Sequence, residues 1–128
     1  MNNVINQKYI INAPANKVWE ALTNPKIIEK WSQSKATMND SEGTNFKLWD
    51  GDIFGKNIRV IKNKELVQEW TSGDWEKPST VTFKLKELDN KTEVTLTHIG
   101  VPESEIEDID NGWKDYYMNP LKEVVEKL

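Results

Sequence analysis

The residue best suited to acid–base chemistry is His98, the single histidine of a 128-residue chain that contains no cysteine. An imidazole titrates near neutrality, so it can move a proton or hold a ligand by hydrogen bonding. Catalysis would also need an orienting carboxylate and a nucleophile or activated water. In the alternating run 92–99, His98 shares a face with Val94 and Leu96, while Glu93 falls on the opposite face. Such a residue is more often a buried neutral imidazole, bonded to a neighbouring strand or to a helix tyrosine. Without cysteine there is no thiolate nucleophile and no zinc–thiolate site, and one histidine makes no metal motif. The carboxylates offer no paired arrangement: Asp50 and Asp52 flank Gly51, and Asp74 and Glu76 flank Trp75, which is ordinary turn chemistry. No glycine-rich phosphate loop or nucleophile elbow is present. The expectation is therefore no catalytic residue, no metal and no cofactor.

The aromatic residues point elsewhere. Six tryptophans is heavy use for this length, and Trp31, Trp49, Trp70 and Trp75 fall in or beside candidate strands. Rings of this kind either fill a core or line an apolar pocket, where indole N–H and phenol O–H groups fix a ligand's orientation.

These side chains need elements to position them. Residues 4–11 are rich in Val, Ile and Tyr and end at Asn12-Ala13-Pro14, which predicts a strand. Two short helices follow: Pro14 opens one with Val18, Trp19 and Leu22 on a face. Asn24 as cap and Pro25 at the first turn open the other, with Ile27, Ile28 and Trp31 inward. Period-two patterning then predicts strands over 35–38, 45–49, 53–61, 65–71, 80–88 and 92–99, with turns at Asp50-Gly51, Asn63-Lys64 and Asp89-Asn90 and a longer loop over 72–78. From residue 103 the period changes to three and four through Ile106, Ile109, Trp113, Tyr117, Leu121 and Val124. Trp113, Tyr117 and Val124 centre the stripe, and Tyr116 and Val125 mark its edges. A continuous helix here would be roughly 39 Å long. Pro120 cannot donate to Tyr116, so the helix either kinks or restarts with Asn119 as cap. The unbroken apolar phase favours a kink.

The formal charge is −4, but residues 103–128 hold eight acids and three lysines, leaving the rest nearly neutral. With one arginine among 17 basic residues, nucleic-acid recognition is not expected. The acids of 103–110 suit the start of a helix. No stretch reads as a leader or membrane span, so a single cytoplasmic domain over 1–128 is expected.

The run Ile11-Asn12-Ala13-Pro14-Ala15-Asn16-Lys17-Val18-Trp19-Glu20-Ala21-Leu22-Thr23-Asn24-Pro25 resembles the opening of the START-like, or SRPBCC, superfamily. So do Trp31, Asp50-Gly51 with Gly55, the strand 66–70, Leu96-Thr97-His98-Ile99-Gly100, and Gly112-Trp113 followed by Pro120-Leu121-Lys122. Their order is most similar to the branch of the C-terminal domain of the heat-shock-protein-90 ATPase activator. The resemblance implies an α+β helix-grip fold: a curved antiparallel sheet of six to seven strands around a long C-terminal helix, with two short helices after the first strand. It also implies a helix–sheet cavity for an apolar, possibly aromatic, small molecule. The residues expected to contact such a ligand are Trp31, Phe46, Trp49, Trp70, Phe83, His98, Trp113 and Tyr117, with loop 72–78 expected as a gate. Non-enzymatic binding is the preferred expectation. A chaperone-associated module, or an enzyme of cyclase, hydrolase or hydroxylase type in the same cavity, are the alternatives. The resemblance also implies that a separate N-terminal domain makes much of the activator's chaperone contact, a domain not expected within these 128 residues.

Overall fold

The computed structural model describes residues 4–73 and 75–128. The chain runs β1 (Val4–Ile11), α1 (Ala15–Thr23), α2 (Pro25–Ser32), β2 (Asn45–Leu48), β3 (Ile53–Ile61), β4 (Glu65–Ser72), β5 (Ser79–Leu88) and β6 (Lys91–Ile99). It ends in a helix made of α3 (Ile106–Gly112), a π-helical segment (Trp113–Met118) and α4 (Asn119–Glu126). The strands form one antiparallel sheet in the order β1-β6-β5-β4-β3-β2, a meander closed by the first strand beside the last. Six strands form where up to seven were expected. Residues 35–38 supply only a bridge between Thr37 and Lys47, and β2 stops at Leu48 because Trp49 turns into left-handed backbone.

Alternation puts Ile5 and Ile11, Phe46 and Leu48, Leu66 and Trp70, Val81 and Phe83, and Leu96 and His98 on the buried face. The terminal helix covers that face, with the Trp113 ring 5.7 Å and the Tyr117 ring 5.7 Å from that of Phe83. The two short helices flank it; Pro14 is the extended residue ahead of α1 rather than its first helical position, while α2 starts as its sequence predicts. Asn24 Oδ1 accepts from Lys26 N at 3.0 Å with Pro25 at the first position. At α1 the Ala15 N–H donates to Glu87 Oε1 of β5 at 2.8 Å, so a strand carboxylate caps the helix. Gly55 of β3 is required by a close approach. A Cβ there would overlap the carbonyl of Glu69 on β4.

The helix neither restarts at Asn119 nor keeps one α-helical phase. Asn119 has helical angles, and its N–H donates to Lys114 O, five residues back. The buried residues are Trp113, Tyr117, Leu121 and Val125, with Met118 beside them, while Tyr116 is 69% exposed. A regular helix would carry Val125 about 120° round from Trp113. The extra residue in the wide turn takes back about 100°. The wide turn sits directly ahead of Pro120, whose missing N–H and ring disfavour a regular turn there. No helix among the described residues is long and apolar enough to cross a membrane.

Candidate functional site

Tyr117 is the hub of an aromatic cluster that gathers residues from α2, four strands and the terminal helix. Its ring centroid lies 4.4 Å from Trp31 of α2 and 4.6 Å from Trp113 one turn back. Trp70 of β4 stacks on Trp113 at 4.6 Å, and Phe46 of β2 stands 6.3 Å behind Trp70. Trp49 meets both Trp31 and Tyr117 edge-on at 6.1 Å. All eight residues singled out from the sequence therefore belong to one cluster, completed by Phe83 and His98.

The cluster has two ends of different chemistry. At one end, Trp113 Nε1 donates to His98 Nδ1 at 3.0 Å, and His98 Nε2 lies 2.7 Å from Ser79 Oγ. Because Nδ1 accepts, the neutral ring carries its proton on Nε2 and donates to Ser79. Ser79 Oγ in turn donates to the Trp70 carbonyl at 3.0 Å. The chain of bonds ties the terminal helix to β6, β5 and β4. It also rules His98 out as a base toward Ser79, since the nitrogen facing the hydroxyl already holds the proton. Burial pushes the imidazole down to about 4, and a proton on Nδ1 would face the Trp113 N–H. His98 is the buried neutral imidazole, with a tryptophan on the helix where a tyrosine was expected. Trp75 of loop 72–78 donates its Nε1 to Glu105 Oε2 at 2.8 Å, which latches that loop to the start of the terminal helix.

Trp70 is held from the other side by a buried polar relay. Trp70 Nε1 donates to Gln68 Oε1 at 2.8 Å, Gln68 Nε2 to Asn57 Oδ1 at 2.9 Å, and Asn57 Nδ2 to the Asn39 carbonyl at 3.0 Å. A β-bulge between Asn57 and Arg59 locally shifts the register there.

The other end opens to a groove of about 410 Å³ between the β2–β3 turn and the terminal helix. Trp49, Asp52 and Ile53 come from the turn side, and Trp70 forms part of the wall from the sheet. Asp108, Ile109, Gly112, Trp113, Tyr116 and Tyr117 come from the helix. Trp31, Phe46, Phe83 and His98 stand behind these walls. The turn that carries Trp49 is strained: Trp49 has φ 49° and Asp50 φ 55°, both left-handed for residues with side chains, before Gly51 at φ 100°. The Tyr117 hydroxyl is buried without a hydrogen-bond partner, and burial holds it well above the usual phenol range. It stays protonated and able to donate. Trp19 Nε1 and Asn63 Oδ1 are the other unpartnered buried side-chain atoms among the described residues, and neither lines the groove.

A second depression of about 510 Å³ lies where α1 begins, beside Asn63, Lys64, Leu85 and Glu87. It has no aromatic wall, and Glu87 there is committed to capping α1. No three histidine or carboxylate side chains among the described residues stand close enough to hold a metal ion. Sequence reasoning missed Ile53, Ile109, Gly112 and Tyr116 as groove residues, together with Asp52 and Asp108. The only signal for the helical ones was their spacing around Trp113, which the wide turn reshapes.

Comparison with known proteins agrees with this fold. The family described as "Activator of Hsp90 ATPase homolog 1-like protein" matches residues 12–126. An uncharacterized protein of Schizosaccharomyces pombe is 29% identical over 94% of this chain and 36% of its own length. The mouse activator of 90 kDa heat shock protein ATPase homolog 2 is 23% identical over 91% of this chain and 36% of its own. The chain thus spans about a third of the length of these curated relatives. Among solved structures, an HSP90 activator from Plasmodium falciparum superposes with a TM-score of 0.90 at 23% identity, covering 95% of each chain.

Proposed function

This chain belongs to the family of Activator of Hsp90 ATPase homolog 1-like proteins, and on that footing we propose that it is a non-enzymatic cytoplasmic receptor for a flat, apolar small molecule. The observation that carries the reading is the groove itself, whose walls include Trp49, Trp70, Trp113, Tyr116 and Tyr117. Its volume of about 410 Å³ suits a ligand of drug-like size. Trp49, Trp70 and Trp113 supply faces for stacking, and the free Tyr117 hydroxyl offers a hydrogen bond to an acceptor on the ligand. Trp31, Phe46, Phe83 and His98 hold those walls in place from behind.

The test is a screen of flat apolar compounds read by tryptophan quenching and by Tm, repeated on Gly112→Leu. Gly112 lines the groove, and a Cβ there meets nothing closer than Tyr116 Cδ2 at 3.9 Å. A leucine should therefore fill the groove while leaving the fold intact or firmer, by about 0.5–1 kcal/mol. Ligands that quench and stabilise the parent but not the variant support the reading. A broad library that moves neither signal in the parent overturns it.

A second reading rests on the family match and on relatives named as activators of the 90 kDa heat shock protein ATPase. In that case the chain acts as a chaperone-associated interaction module. A purified chaperone whose ATPase rate and pull-down both ignore the protein would remove it. Enzymatic use of the same groove has less support, because the single histidine has both ring nitrogens engaged.

A further inference from the structure

We infer that the groove selects a ligand with positive charge on its flat apolar body, an inference that rests on reading the groove as a binding site. Two of the groove's lining residues are charged, and both are carboxylates, Asp52 and Asp108. They approach from opposite sides, one from the β2–β3 turn and one from α3. Among the described residues neither is within ion-pair distance of a lysine or arginine, although three other ion pairs form on the surface. The same lining includes indole and phenol rings, whose faces attract a cation through the ring quadrupole. The wider field has the same sign, because Asp108 belongs to the acid-rich stretch 103–110 of a terminal quarter with eight acids and three lysines.

Beside the charges stands one buried donor without a partner. Tyr117 lines it, is 1% exposed, and its hydroxyl is unpartnered. A buried hydroxyl without a partner is costly, and a ligand acceptor would relieve that cost. The arrangement therefore favours an aromatic or amphipathic amine that also carries an acceptor. A fatty-acid-like anion would meet two like charges and no basic side chain.

Three dyes test this at pH 7.5 by titration calorimetry. Proflavine is a planar cation, acridine its neutral relative, and 8-anilinonaphthalene-1-sulfonate an anion. Proflavine should bind the intact protein at least tenfold more tightly than acridine, with the sulfonate weakest. The gap should shrink below threefold in Asp52→Asn/Asp108→Asn and at high salt, where exposed charges are screened. Gly112→Leu should abolish binding of all three. Equal binding of proflavine and acridine, or a proflavine advantage that survives the double substitution or Gly112→Leu, overturns the charge preference while the groove reading stands on acridine. If none of the dyes binds, both readings fall together.

Discussion

At the His98 end of the aromatic interior each polar group is tied into a chain of hydrogen bonds, whereas at the Trp49 end a buried hydroxyl is unpaired and the backbone is strained. The ends share rings, since Trp70 and Trp113 belong to both. Ring content therefore does not tell packing from binding. Polar satisfaction does. Groups paired within the protein have nothing left to offer a ligand, and a buried donor left over on a residue that lines a groove does.

The strongest way to break that contrast is at the satisfied end. His98→Ala orphans the Trp113 N–H and opens a cavity, and should cost about 3–5 kcal/mol in urea unfolding. Acid should act through the same residue. The folded imidazole sits at about 4 against an ordinary 6.5, so the folded state disfavours the charged form. Its contribution is fully present above pH 6.5 and is lost as pH falls toward 4, on the order of 3 kcal/mol. His98→Ala should lack that component, which a comparison of the two stability–pH curves would reveal. Parallel curves would mean that the imidazole is not held neutral by the fold.

The unsatisfied end should respond oppositely. Tyr117→Phe removes a hydroxyl that has no partner, so stability should hold or rise by about 1 kcal/mol. Binding of a ligand with a well-placed acceptor should fall up to about tenfold. A stability loss beyond 2 kcal/mol would show that the hydroxyl has a hidden role in the fold. The smallest effect is expected at the strained turn. Asp50→Gly should raise stability by about 0.5–1 kcal/mol, because glycine accepts φ 55° without a Cβ penalty.

Much of this architecture was legible in the residues. Asn24-Pro25 announces a capped helix, alternation in 80–88 and 92–99 announces strands, and both behave as their chemistry requires. The convergence of the rings followed from those elements. What escaped was anything that depends on a local departure from ideal geometry. Met118 and Val125 are central and Tyr116 is outside because one turn of the helix is wide, whereas the spacing argument assumed 3.6 residues per turn. The bulge beside Asn57, with the buried relay from Asn57 to Trp70, likewise has no signature in a run of polar and apolar letters. Trp49 looked like the end of a strand, and only its left-handed backbone makes it the rim of a groove.

The π-helical segment Trp113–Met118 also has a genealogical consequence. A homologue with a plain α-helical rod needs one residue fewer between Trp113 and Pro120 to present the same inward side chains. Aligned without a gap, every position after that point would be matched to the wrong neighbour. A single-residue deletion in this stretch would be absorbed by closing the wide turn to an α-helical one, whereas a further insertion would turn Leu121 and Val125 about 100° away from their seats. In this part of the chain, insertion should therefore be under tighter control than deletion.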